Sequence, residues 1–166
     1  ELCDKLNRVA PGYLAKAAQS RNASIIQVST DYVFDGTNHI PYKEEEPTCP
    51  ASVYGTTKLA GEQNVLEHCH NSVIIRTAWL YSIFGNNFVK TMIRLGQERD
   101  TLGVVFDQVG TPTYARDLAR AIYAIINKGI VRGVYHFSDE GVCSWYDFTK
   151  AIHRLSGISC DVKPLH

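Results

Sequence analysis

The sequence predicts an α/β fold built on a parallel sheet, and three observations carry that prediction. Short runs rich in β-branched residues recur at 24–30, 72–79, 102–106 and 134–137. Segments with helical spacing separate them. Polar clusters follow the strand-like runs, as at Ser29-Thr30-Asp31, Thr77-Ala78-Trp79 and Asp107-Gln108. Alternating strands and helices imply parallel pairing, and ligands of such sheets bind beyond the carboxyl ends of the strands. The three clusters are therefore expected on one rim, although each taken singly also reads as ordinary loop polarity.

In order along the chain, LAKAAQSRN (14–22) reads as the end of an alanine-rich helix and SIIQVST (24–30) as a buried strand. A loop punctuated by Gly and Pro spans 35–50. A helix is expected from Ser52 to Cys69, followed by the strand SVIIRTAW (72–79). NNFVKTMIRLGQER (86–99) is expected as a helix and LGVVF (102–106) as another strand, closed by the polar turn DQVGTPT. Leu118, Ala121, Ile122, Ile125 and Ile126 recur at the spacing of one helix face, with a stop at Lys128-Gly129. VYHF (134–137) is a further strand. SWYD (144–147) matches a capping box, in which Ser144 and Asp147 satisfy free N–H groups at a helix start. Phe148, Ala151, Ile152 and Leu155 then share a face, and Gly157 is the stop.

The 166 residues, 45% of them hydrophobic, suffice for an ordinary globular domain. Lys plus Arg and Asp plus Glu both number 17, and the longest like-charge run is Glu44-Glu45-Glu46. That balance argues against nucleic acid as a partner. The five cysteines, Cys3, Cys49, Cys69, Cys143 and Cys160, form no C-x-x-C pair, so neither a disulfide framework nor a zinc site is indicated. His68-Cys69-His70 lies at a helix end and reads as structural. No apolar stretch reaches the roughly 20 residues of a membrane span. The expectation is a soluble cytoplasmic protein with no membrane partner.

The chemistry centres on YGTTK (54–58). On a helix, Tyr54 and Lys58 project from the same face one turn apart. A free phenol titrates near about 10, and an adjacent ammonium is expected to lower that value and make Tyr54 a usable general acid or base. A packed tyrosine beside a solvated lysine accounts for the spacing as well. Thr30, at the end of the preceding strand, is placed to donate a hydrogen bond to a substrate oxygen facing Tyr54.

Thr30, with Tyr54 and Lys58 in Y-x-x-x-K, resembles the Ser/Thr–Tyr–Lys triad of the extended short-chain dehydrogenase/reductase superfamily. Within it, STDYVFDG, YGTTKLAGE, RTAWLY, NNFVKTM and DQVGTPT are together similar to the dTDP-4-dehydrorhamnose reductase family, over residues 1 to about 157. The resemblance implies a partial Rossmann-like parallel sheet with a small mixed α/β substrate-binding portion. Residues 1–80 would be the C-terminal part of an NAD(P)-binding domain carrying the catalytic Thr30, Tyr54 and Lys58. Residues 81–166 would be mostly the substrate-binding portion, incomplete at its C-terminus. NADPH or NADH would deliver hydride to C4 of a dTDP-4-keto sugar and Tyr54 a proton to the forming alkoxide. Tyr54, Lys58, Ser29 and Thr77 are the expected cofactor contacts. Thr30, Asp31, Tyr32 and Trp79 are expected at the sugar, and Gln108, Thr111 and Asn87 on the nucleotide-sugar side, where turn or capping roles are equally open. Some members use a glutamate-bound magnesium ion at a dimer contact. The helix after GTPTY offers Arg116 and Asp117 and no glutamate, so no metal is expected, and a homodimer stays open.

The chain also departs from that pattern. Its twelve glycines include no two at the G-x-x-G spacing of a pyrophosphate-binding turn, so an internal piece of a longer enzyme is expected, inactive alone and weak in dinucleotide binding. Two further readings stay open. Another nucleotide-sugar reductase or epimerase would share Thr30, Tyr54 and Lys58 without needing Trp79 or DQVGTPT. A non-catalytic regulatory subunit of the methionine adenosyltransferase β type would keep the DYVFDGT-like wording; the intact Thr–Tyr–Lys set leans towards catalysis.

Overall fold

The β-branched run ahead of Thr30 forms β1 (Ile25–Thr30), one edge of a three-stranded parallel sheet with β2 (Ser72–Thr77) and β7 (Gly133–His136) in the order β1-β2-β7. The computed structural model describes residues 1–166, which divide into two units, Glu1–Thr77 with Ala121–Phe137, and Ala78–Arg120 with Ser138–His166. The units divide at 77/78, and the chain returns to the first unit at Ala121.

In the first unit, α1 (Leu2–Asp4) widens into a π turn over Lys5–Val9 and continues as α2 (Ala10–Ser20). Pro11 has no N–H to give the Asn7 carbonyl four residues back, and the helix adjusts by widening ahead of it. The main helix, α3 (Val53–His68), starts where expected because Ser52 accepts from the Gly55 N–H at 3.0 Å. Ala15, Val65, Cys69 and Ile74 form a fully buried cluster, with Ile25 and Val134 against it. Each side chain of valine or isoleucine size buried in this way contributes about 1.5–3 kcal/mol.

The second unit contains α4 (Phe88–Glu98), α6 (Trp145–Ser156) and three two-stranded ribbons. These pair β3 (Leu80–Tyr81) with β6 (Thr113–Tyr114), β4 (Thr101–Val105) with β9 (Asp161–Leu165), and β5 (Val109–Gly110) with β8 (Cys143–Ser144). Its core is Met92, Leu102, Val104, Ile152 and Val162. The capping box at Ser144 and Asp147 is formed in both directions, and Gly157 ends α6 at φ 66°. α5 runs Ala115–Lys128. No helix is long and apolar enough to cross a membrane.

Two expectations are corrected. The strand 72–79 stops at Thr77, because Trp79 takes a left-handed φ of 46° that no strand accommodates. The strand near 102–106 does not join the three-stranded sheet: it pairs with β9, so Asp107-Gln108 ends a strand of a different sheet. The apolar faces of α5 and α6 are incompletely covered, with Ile126 at 54% and Leu155 at 82% exposure. Helical spacing tells which residues share a face, not whether another element lies against every turn of it.

Candidate active site

Strand β1 ends in a short 3-10 turn, Asp31–Val33, whose first N–H groups need a cap; the Thr30 hydroxyl accepts from the Tyr32 N–H at 3.2 Å. The same hydroxyl donates to the Asp31 carboxylate at 2.9 Å. The turn delivers Tyr32 to Tyr54 on the first turn of α3, their rings edge to face with centroids 5.9 Å apart. This approach requires Gly55: a Cβ there would land on the Tyr32 carbonyl oxygen. Thr30, Asp31, Tyr32 and Tyr54 are thereby gathered at the carboxyl end of β1.

Lys58 stands one turn along α3, and its ammonium donates to the Val28 carbonyl at 2.7 Å. Burial lowers its pKa, with the charge of Glu62 acting the other way. Tyr54 corrects the sequence expectation. Its pKa is raised, not lowered: burial is the largest cause, the Thr30 hydroxyl acts to lower it, and the charge of Asp31 adds to the rise. The ammonium is tied to a strand carbonyl, so it does not make the phenol acidic, and Tyr54 carries its proton at neutral pH. Asp31 is also raised, chiefly by burial, with the Thr30 bond opposing.

Ser29 and Thr77 are buried, and each hydroxyl lacks a hydrogen-bond partner. Native structures leave few such atoms unless a bound group completes them. Register pairs Ser29 with Arg76 and Thr30 with Thr77, so by strand alternation Ser29 and Thr77 point to opposite faces of the sheet. A ligand touching both must lie across the strand ends.

The other expected contacts belong to the second unit. Asn87 caps α4, accepting from the Lys90 N–H at 3.2 Å and donating to the Ser82 carbonyl at 2.6 Å. Thr111 donates to the Gly141 carbonyl at 2.8 Å, and Gln108 is exposed. The Trp79 indole stacks on Trp145 with centroids 3.4 Å apart.

Sequence reasoning missed one part of the first unit. Glu62, one turn beyond Lys58, and Arg76 on β2 are both buried and form a bidentate pair, with Arg76 Nη2 2.8 Å and Nε 3.1 Å from the carboxylate. Arg76 also donates to the Glu44 carbonyl at 3.4 Å, while the Glu44 carboxylate accepts from the His136 N–H at 3.0 Å. The pair anchors the loop between β1 and α3. An arginine inside the apolar run SVIIRT was the available signal, because a buried cation needs a partner.

The whole chain, residues 1–166, matches the family model described as the RmlD substrate binding domain. A dTDP-4-dehydrorhamnose reductase of Aggregatibacter actinomycetemcomitans is 50% identical over 145 residues, covering 84% of this chain and 49% of that protein. The crystal structure of a dTDP-4-dehydrorhamnose reductase from Clostridium acetobutylicum matches with a TM-score of 0.93 at 50% identity, over 96% of this chain and 56% of that one. One from Bacillus anthracis, solved in complex with NADP, gives 0.93 at 43% identity, over 96% and 57%. The chain thus spans about half the length of the relatives it matches. By its sequence from end to end and by its fold, it belongs to the RmlD substrate binding domain family.

Proposed function

We propose that the full-length protein reduces dTDP-4-dehydro-L-rhamnose to dTDP-L-rhamnose in the cytoplasm. The observation that carries this reading is a tyrosine that holds its proton at neutral pH, gathered with Thr30 at the end of β1. A reduction of a ketone needs a proton donor at the forming alkoxide, and Tyr54 is loaded for that role. The Thr30 hydroxyl orients the carbonyl once it turns from Asp31. When bound, NADPH or NADH supplies the hydride to C4. The unpartnered hydroxyls of Ser29 and Thr77 and the spare donors of Lys58 fit the nicotinamide-ribose end of such a group. Asp31, Tyr32 and Trp79 contact the sugar on this reading, with Gln108, Thr111 and Asn87 on the nucleotide side. Residues 1–80 serve mainly the dinucleotide and the proton chemistry, and 81–166 mainly the substrate.

The test follows NAD(P)H oxidation by the full-length protein with dTDP-4-dehydro-L-rhamnose, for wild type and Tyr54→Phe. Loss of a positioned proton donor lowers kcat by about 10²- to 10⁴-fold. A variant as active as wild type, or a wild type inert on this and related dTDP-4-keto sugars, would falsify the assignment.

A further inference from the structure

Only two non-glycine residues have positive φ, Asn22 and Trp79, and for a bulky aromatic this conformation is a marked outlier. Such backbones persist only where their surroundings over-determine them, and they concentrate at ligand-contacting positions. Trp79 is held in three ways, all inside the second unit. Its carbonyl accepts from the Thr113 N–H at 3.2 Å. Its indole lies within 10° of parallel to that of Trp145, at 3.4 Å. Gly110 leaves the room it needs, since a Cβ there would sit 2.6 Å from Trp79 Cε2.

Gly110 and Trp145 are brought together by one ribbon. β5 pairs Gly110 with Cys143 and Val109 with Ser144, and Trp145 follows Ser144 directly, at the first position of α6. The capping box therefore fixes where the second indole begins, and Phe88 packs against its ring at 4.4 Å. Fixing an indole plane matters for a sugar, whose C–H faces pack against aromatic faces and whose hydroxyls resist them.

We propose that Trp145 is a positioning residue: it sets the plane of the Trp79 indole so that Trp79 receives the sugar ring, with Gly110 providing the clearance. This rests on the reading of Trp79 as a sugar contact. Trp145 itself need not touch ligand.

The experiment titrates full-length wild type, Trp145→Leu, Trp145→Phe and Trp79→Leu with dTDP-rhamnose and, separately, with dTDP, by calorimetry. The expected result is that Trp145→Leu weakens dTDP-rhamnose about three- to tenfold and leaves dTDP unchanged, with Trp145→Phe between. The far-ultraviolet exciton couplet of two stacked indoles should vanish in both Trp145 variants. Trp145→Phe keeps an aromatic ring in the core and keeps the test open should the leucine variant unfold. Unchanged dTDP-rhamnose affinity in both Trp145 variants, alongside a loss in Trp79→Leu, overturns the positioning role alone. Equal weakening of both ligands shows a structural role and overturns it too. Unchanged affinity in Trp79→Leu sinks the sugar reading of Trp79 and the role of Trp145 with it.

Discussion

Tyr54 and Lys58 show how far a residue's chemistry can be read from spacing. Their shared helix face and the position of Thr30 at a strand end were legible, because periodicity and strand termini are written in residue order. The direction of the Tyr54 pKa was not, because it depends on which carbonyl captures the ammonium and on burial of the ring. The consequence is a pH profile with a defined sign. A proton donor works only while protonated, so a raised pKa keeps kcat/KM flat through neutrality and moves its alkaline fall above the ordinary phenol range. Two neighbours tune it in opposite senses: the Asp31 charge raises the Tyr54 pKa and the Thr30 hydroxyl lowers it. Asp31→Asn should move the alkaline limb to lower pH and Thr30→Val to higher pH, whatever each does to the plateau. Limbs that move the same way, or not at all, in a pH series of kcat/KM would show that Tyr54 is not the titrating donor.

At the scale of elements, α3 was legible in position and type, since Ser52 and the spacing after it define the start. Its close packing was not, because it rests on missing atoms. A Cβ on Gly55 would meet the Tyr32 carbonyl and one on Gly61 the Asn7 carbonyl, both backbone atoms with little freedom to yield. In an exposed helix Gly→Ala gains up to about 1 kcal/mol. Here overpacking reverses the sign, and Gly55→Ala should lose about 1–3 kcal/mol in urea denaturation while displacing Tyr54 from the β1 turn. A stabilised Gly55→Ala protein would show that the helix has room to slide. The Glu62–Arg76 pair makes a second demand on α3. Removing one partner leaves the other charge buried alone, so Glu62→Gln should cost about 3–5 kcal/mol, and Arg76→Met added to it should restore part of the loss. Additive losses in that double-mutant cycle would mean the two charges are not coupled.

For the whole molecule, the helix–strand alternation was enough to foresee β1, β2 and β7 in one parallel sheet, but not the separate pairing of β4. A five-residue strand of apolar alternation looks alike in either sheet; its partner, Asp161–Leu165, carries a proline and two charges and gives little strand signal. The chain's surface makes the last prediction. Leu2 in α1, Leu6 in the π turn and Tyr13 in α2 are each more than 60% exposed, with Leu14 beside them. In the same unit β1 is an edge strand, its ladder satisfied on one side only. Exposed apolar side chains and open strand edges both favour pairing with another chain. Each large side chain gains about 1.5–3 kcal/mol if fully buried, and less in a partial contact, against an association cost of several kcal/mol. The balance puts self-association of these 166 residues in roughly the micromolar-to-millimolar range. Sedimentation velocity should therefore show a mass that climbs with concentration, and Leu6→Lys with Tyr13→Lys should suppress the climb. A wild-type chain that stays monomeric at every concentration and unfolds in one cooperative step would show that these side chains and this edge are tolerated in water.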